Sequence, residues 1–290
     1  MSARAWRLLD LLNETTRFLT GKGFGSARLE AELLLADVLH LRRLDLYLQF
    51  ERVLTEPEVD AYREHVRRRL RREPVQQITG QAGFRELVLE VTPEVLIPRP
   101  ETEVLAQVVL DLLGPDPGSP VLDLGCGSGA IALALAHERP GLRVIATDLS
   151  KPALGVARRN ATRLGLADRV AFIQADLLSP WRAARPIFTS IVSNPPYVPT
   201  ATIASLEPEV RDHEPHLALD GGPDGLAVLA RIASAAGPLL RPKGILCLEV
   251  GDGQAEAVCG LLEATGAYAE IASRHDLNRV PRVVTARRAD

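Results

Sequence analysis

Two short runs carry residue types at spacings that could do chemistry. Asp123-Leu124-Gly125-Cys126-Gly127-Ser128-Gly129 follows one apolar stretch, and Asn194-Pro195-Pro196-Tyr197 follows another. Glycines in the first run let the backbone turn sharply and approach a ligand without side-chain obstruction. Asp148 closes the next apolar stretch, where a carboxylate can accept hydrogen bonds from both hydroxyls of a ribose. Asp176 closes the one after, near where an adenine would rest, with Leu177 beside it. The glycines alone leave the ligand open. Gly125-x-Gly127-x-x-Ala130 also fits a loose dinucleotide fingerprint, so a methyl donor, NAD and a ligand-free tight turn all remain.

The second run suggests how a poor nucleophile could be held. An amide nitrogen is weak because its lone pair is delocalised into the carbonyl, and transfer of a group to it demands an in-line approach. The Asn194 side-chain oxygen and the Pro195 backbone oxygen can accept the two N–H bonds of an NH₂ group and so fix its lone pair. Prolines stiffen such a loop and bring no N–H to compete for those acceptors, and the Tyr197 ring can pack on a flat amide. The bland alternative is a turn that starts on Asn and packs an aromatic. Placement directly after a strand favours the chemical reading. No histidine base is needed, so His213 and His216 are read as structural or surface residues.

The elements that must position these runs alternate strand and helix. Strands are expected at Val121–Leu124, Val144–Thr147, Val170–Gln174, Ile187–Ser193 and Ile245–Val250, with a closing pair at Tyr268–Ser273 and Val280–Arg287. Helices are expected at Ala130–His137, Pro152–Leu164 and Leu226–Leu240. Short buried strands alternating with amphipathic helices predict an α/β fold with a doubly wound, mostly parallel sheet of seven strands. Both chemical runs then sit at the carboxyl edge of that sheet. Residues 99–290 form this catalytic domain, with a loop at 114–120 before its first strand.

Residues 1–73 read as a helical bundle. Ser26 is placed to cap a helix with Leu29, Leu33 and Ala36 on one face. Thr55 and Glu58 have capping-box spacing, ahead of a stripe of Val59, Tyr62, Val66 and Leu70. Nothing in this bundle looks catalytic, and its expected role is to recognise a macromolecular substrate. Residues 74–98, with Leu87, Leu89 and Val91 alternating against Val88 and Glu90, predict a linking hairpin.

Bulk properties exclude several classes. At 290 residues, 46% hydrophobic and 24% charged, the chain can bury a sizeable core. A net charge of −3 argues against broad phosphate neutralisation, and no direct sequence-specific nucleic-acid binding is expected. The local cluster Arg67, Arg68, Arg69, Arg71 and Arg72 is read as a solvated face complementing a helix dipole, with an RNA-rich partner the sharper alternative. No apolar run is long enough to span a bilayer, and Asp10, Asn13 and Glu14 interrupt the early leucines, so neither membrane nor secretory leader is expected. Cys126, Cys247 and Cys259 have no disulfide or metal-ligand spacing, which points to the cytoplasm and to no metal.

The glycine run resembles the motif of class I methyltransferases. The wider chain resembles the HemK/PrmC family, protein-(glutamine-N5) methyltransferases acting on class I peptide chain release factors. The resemblance is carried by Pro74-Val75-Gln76-Gln77-Ile78-Thr79-Gly80, Ile97-Pro98-Arg99-Pro100-Glu101-Thr102-Glu103, the glycine loop, Asp148 and Asn194-Pro195-Pro196-Tyr197. Glu214-Pro215, Ala218-Leu219 and Gly221-Gly222-x-Asp224-Gly225-Leu226 complete it. It implies S-adenosyl-L-methionine as cofactor, leaving S-adenosyl-L-homocysteine, bound by Asp123, Gly125, Cys126, Gly127, Ser128, Gly129, Asp148, Asp176, Leu177 and Asn194. It implies that Asn194, Pro195, Pro196 and Tyr197 hold the glutamine of a Gly-Gly-Gln loop in a release factor. Leu177 departs from the aromatic that the family often carries there, and residues around Arg99 are expected to wall the pocket. Competing readings are a methyltransferase of a ribosomal-protein glutamine or of an exocyclic amine in DNA or RNA, an NAD-dependent oxidoreductase, and a silent binding module.

Overall fold

The computed structural model describes residues 6–114, 118, 120–181 and 185–289. Most of the loop expected at 114–120 (residues 115–117 and 119) lies outside the described residues, as do residues 1–5, 182–184 and 290. The chain forms two compact units: one runs to Gly80 and also takes in Pro208–His213, and the other holds Gln81–Glu207 and Glu214–Asp290.

The first unit packs helices α1 (Leu8–Gly21), α2 (Ala27–Val38), α3 (Arg43–Leu48), α4 (Glu56–Leu70) and α5 (Val75–Thr79), with the short Pro208–Arg211 as α9 in chain order. Leu8, Leu12 and Leu19 of α1 meet Ala31, Leu34 and Leu35 of α2 and Val59 and Tyr62 of α4 in one core. The Tyr62 hydroxyl donates to the Ala31 carbonyl at 3.1 Å, so its burial leaves no polar group stranded. The Thr55 and Glu58 capping box is present. Two expectations are corrected. Ser26 stands at the N-cap of α2 but its side chain makes no capping bond. The core face of α2 is Ala31, Leu34 and Leu35 together with the expected Ala36, while Leu29 and Leu33 are 41% and 37% exposed. Three consecutive leucines satisfy more than one helical phase, so spacing alone picked the wrong one.

The reading of the arginine cluster is corrected in part. Arg69 is buried, with Nε at 2.8 Å from Glu30 and Nη2 at 2.9 Å from Glu209, and its guanidinium stacks 4.3 Å from the Phe24 ring centroid. Arg72 reaches the same Glu209 at 3.3 Å, Arg68 pairs with Glu73, and Arg67 and Arg71 both reach Glu64. Arg69 is thus committed to carboxylates within the unit, whereas Arg67 and Arg71, with 64% and 69% of their side chains exposed, keep the solvated face expected of them.

In the second unit, β1 (Gln81–Phe84) and β2 (Leu87–Glu90) form an antiparallel hairpin. The main sheet contains β3 (Val121–Leu124), β4 (Val144–Asp148), β5 (Val170–Gln174), β6 (Phe188–Ser193), β7 (Leu240–Glu249), β8 (Tyr268–His275) and β9 (Pro281–Arg288). Its order is β5-β4-β3-β6-β7-β9-β8, with the first five strands parallel and β9 antiparallel to both neighbours. Chain order reverses between β3 and β6, which opens a crevice at their carboxyl ends.

Helices α6 (Pro100–Leu112), α7 (Ala130–Glu138) and α8 (Lys151–Arg163) cover one face, packing on Val121, Val144 and Val192. The helices α10 (Ala227–Ala236) and α11 (Ala255–Thr265) cover the other, against Leu122, Ile191 and Leu246. The helix expected to reach Leu240 ends at Ala236 and passes into a single 3-10 turn, Gly237–Leu239, where Pro238 has no N–H to continue the α-helical ladder. Its strand begins at Leu240 instead of Ile245, through an irregularity that skips from a Phe188–Leu240 pair to Ser190–Ile245.

Asn160 ties the hairpin and α8 to the glycine loop. Its Oδ1 accepts from the Glu90 N–H at 2.7 Å, and its Nδ2 donates to the Glu90 and Ser128 carbonyls at 3.0 Å each. No exposure remains to let water replace these bonds. Asn160→Ala is expected to cost about 1–3 kcal/mol in urea unfolding, the penalty for stranding buried backbone groups. A loss under half a kilocalorie, well below that range, would show that the tie is not what holds the loop.

Candidate active site

The glycine loop leaves β3 and enters α7. Gly129 has φ +85°, a conformation L side chains rarely adopt, and a Cβ there would crowd Leu133 and Ala157, the latter at 3.3 Å. Asp148, ending β4, braces the loop from the next strand. Its Oδ2 accepts from the Gly127 N–H and its Oδ1 from the Ser150 N–H, each at 2.8 Å. Burial pushes its carboxyl above the usual range, partly offset by those N–H groups. Each oxygen keeps a further lone pair for a hydroxyl donor.

Asp123 behaves differently. It is fully buried beneath the loop, and its Oδ2 accepts from the Ala132 N–H at 3.0 Å near the start of α7. Its Oδ1 has no hydrogen-bond partner among the described residues. Burial pushes the carboxyl up to about 7 despite the Ala132 bond, and Asp148 adds to the rise.

Asn194 follows β6 and donates from Nδ2 to the Thr102 Oγ1 at 3.0 Å. Thr102 is a buried residue in the first turn of α6. With the donor end of the Asn194 amide taken, its Oδ1 is the end left for another donor. The Tyr197 hydroxyl donates to Glu249 Oε1 at 3.4 Å, and its carbonyl accepts from Gln254 Nε2 at 2.9 Å. Behind this loop Gly225 has φ +76°, and a Cβ there would collide with the Tyr197 carbonyl, which explains a glycine at that place. Arg99 Nη2 donates to both oxygens of the buried Glu214, at 2.8 and 2.7 Å. Burial pushes the Glu214 carboxyl up while Arg99 holds it back.

These pieces converge on a cleft of about 360 Å³ walled by Gly125, Gly127, Asp148, Asp176, Leu177, Asn194 and Pro196. Leu149 and Leu96 add apolar wall. A larger hollow of about 540 Å³ lies by Arg143 and Arg169 at the amino ends of β4 and β5 and contains none of these groups. Convergent polar groups, rather than size, mark the candidate site.

Residues 10–80 match the PrmC N-terminal domain, and residues 101–208 match the methyltransferase small domain. A release factor glutamine methyltransferase of Moorella thermoacetica is 45% identical over 261 residues, 90% of this chain and 91% of its own. Its counterpart in Geobacter sulfurreducens is 43% identical over 282 residues, 97% of each chain. The chain belongs to the release factor glutamine methyltransferase family. Solved structures agree on the fold: a methyltransferase from Pyrococcus furiosus superposes with a TM-score of 0.52 at 17% identity, covering 70% of this chain and 89% of its own. The human methyltransferase 10 domain containing protein gives 0.53 at 18%, covering 70% and 88%.

In this methyltransferase the sequence-predicted residues divide. Gly125, Gly127, Asp148, Asp176, Leu177, Asn194 and Pro196 share the cleft wall. Asp123, Cys126, Ser128 and Gly129 are buried behind it, where they shape the loop, and Pro195 is buried too. Tyr197 engages Glu249 and packs with the core around α10 and α11. Asp176 pairs with Arg231 at 2.7 Å. Leu177 holds a left-handed φ of +49°. His213 bonds the Arg71 carbonyl within the first unit, and His216 is exposed near Asp220. Thr102, Glu249 and Arg231 were missed from the sequence. Two signals could have been followed: Thr102 lies in the 97–103 segment that carried the resemblance, and Glu249 closes strand β7.

A carboxyl that titrates near 7 when folded, from an ordinary 3.8, binds more proton folded than unfolded between those values. Its contribution to stability therefore falls as pH rises across that window. Asp123→Asn is expected to flatten the wild-type decline by up to about 1.4 kcal/mol per pH unit in denaturant titrations. Parallel slopes for the two proteins would refute the assignment.

Proposed function

We propose that this protein transfers a methyl group from S-adenosyl-L-methionine to the side-chain amide nitrogen (N5) of the glutamine in the Gly-Gly-Gln motif of class I release factors. The observation that carries the reading is the Asn194 amide, tied at Nδ2 to Thr102 and set on the same cleft as Gly125, Gly127 and Asp148. The release factor is then the partner, recognised through the helical unit, and the cytoplasm the place of action. No described helix is long and apolar enough to cross a membrane.

The residues present fit the cofactor. Asp148 offers spare lone pairs to ribose hydroxyls, and the glycine loop leaves room for backbone approach. Leu149 and Leu177 give an apolar wall suited to a planar base. When bound, S-adenosyl-L-methionine supplies an electrophilic methyl on a sulfonium. Asn194 Oδ1 and the Pro195 carbonyl accept the two amide protons, which fixes the nitrogen and directs its lone pair. Orientation of this kind can supply up to about 7–11 kcal/mol of a barrier, more than any single hydrogen bond of about 1–3. The proton lost from nitrogen passes to water or to Asn194 Oδ1.

Incubating wild-type enzyme, methyl donor and a class I release factor should add the mass of one methylene to the Gly-Gly-Gln peptide in mass spectrometry. Transfer to nucleic acid alone would overturn the reading. Asn194→Ala is expected to lower kcat roughly 10- to 100-fold with donor affinity largely kept. Asp148→Ala is expected to weaken donor binding by calorimetry, and an unchanged dissociation constant would exclude the ribose role.

A further inference from the structure

The Asn194–Tyr197 loop has to keep two acceptors still while a substrate amide enters, yet it lies beyond the end of β6 and outside the sheet's own ladder. Its two ends are tied to different parts of the second unit. At one end, Asn194 Nδ2 donates to Thr102 Oγ1 at 3.0 Å, in the first turn of α6. At the other end, Val198 bridges to Asp220. The Val198 N–H donates to the Leu219 carbonyl and its own carbonyl accepts from the Gly221 N–H, each at 2.9 Å.

A third contact joins these two anchors. Arg99 is the N-cap residue of α6, and its carbonyl accepts from the Thr102 N–H at 3.1 Å. Its Nη2 donates to both oxygens of Glu214, at 2.8 and 2.7 Å. From Glu214 the chain passes through Pro215 and the tight turn His216–Ala218 to Leu219, closed by bonds of 2.9 Å from the Ala218 N–H to the Pro215 carbonyl and 3.0 Å from the Leu219 N–H to the His216 carbonyl. The circuit is complete: Asn194, Thr102, Arg99, Glu214, Leu219, Val198 and back to Asn194. Its sides are short and stiff, with Pro100 in the first turn of α6, Pro215 after Glu214, and Pro195 and Pro196 in the loop itself.

The ion pair is the one link in this circuit that packing alone would not favour. The Glu214 side chain is 1% exposed. Taking a carboxylate out of water is unfavourable, and an apolar pair of similar volume would serve stability at least as well. A charge-assisted hydrogen bond adds what apolar contact lacks, a fixed distance and direction. We infer that Arg99 and Glu214 are positioning residues whose ion pair closes a frame around the Asn194–Val198 loop and so holds the Asn194 amide in place on Thr102. In this role neither touches the reacting atoms; both act through Asn194. Without the pair, each end of the loop keeps its anchor but the anchors are free to move apart. Asp148 and Gly127, braced on each other at the ends of β4 and β3, stay where they are.

The inference rests on the proposed amide methylation, and its test separates the two. Arg99→Met combined with Glu214→Leu replaces the ion pair by apolar packing, which the fold should tolerate. This double variant should lower kcat roughly 10-fold, the scale of a small misplacement, with donor affinity and release-factor KM held. Arg99→Lys, which still offers one nitrogen to both Glu214 oxygens, should keep most of the wild-type kcat. Added to Asn194→Ala, where no amide is left to position, the double variant should lower kcat by less than about twofold further. Equal losses in the two backgrounds would mean general loosening and overturn the frame. Unchanged kcat with a raised release-factor KM would make Arg99 a direct substrate contact, and overturns it too. In the enzyme without release factor, the nitrogen-15 signal of the Asn194 side-chain NH₂ should move in the double variant toward its position in Thr102→Val, and a signal that stays put also overturns the frame. A signal that moves, in an enzyme whose wild type fails to methylate the release factor, upholds the frame and removes the substrate reading instead.

Discussion

The site depends on one strand pairing. β3 and β6 lie side by side in parallel, with Leu124 opposite Ser193, and the Ser193 hydroxyl donates to the Leu124 carbonyl at 2.7 Å. Each strand ends at that pair, so the next residues, Gly125 and Asn194, leave the sheet as neighbours. Because chain order reverses between these strands, the connections that follow diverge to opposite faces and leave a gap between them. A slip of one residue would send every side chain of β6 to the wrong face, which two buried cores forbid.

Around that gap the protein accepts carboxylates where it could have had apolar packing. Asp123, Glu214 and Glu249 are buried, and burial raises the pKa of each. Buried charge of this kind is unfavourable for folding unless each oxygen is satisfied. Asp123 and Glu249 each keep one oxygen with no hydrogen-bond partner among the described residues. Departures from good packing gathered at one site are the mark of function held at some cost in stability.

The pattern of short apolar strands and amphipathic helices made the sheet legible, because strands buried on both faces read as continuous apolar runs. The cleft residues at strand ends were legible for the same reason: a polar residue that closes such a run, as Asp148 and Asn194 do, lies at the sheet edge by construction. What spacing could not show was partnership across the fold. Thr102 and Asn194 are far apart in sequence, and nothing local says that a threonine in the first turn of α6 meets an amide after β6. Helix phase in α2 failed where the sequence was too uniformly leucine to choose a face, and the start of β7 failed where an irregular pairing hid its first residues. The paired state of Arg69 was hidden too, since its partner Glu209 arrives from far downstream.

That last pairing bears on how the gene can be divided. Residues Pro208–His213 belong to the first compact unit although the chain on both sides of them belongs to the second. No single cut therefore separates the two units. A fragment ending at Gly80 would leave Arg69 its Glu30 partner but remove Glu209, and a swap of the helical unit between relatives would have to carry this hexapeptide along. The first unit is thus assembled from two stretches of chain that lie on either side of part of the second, interleaved with it rather than strung before it.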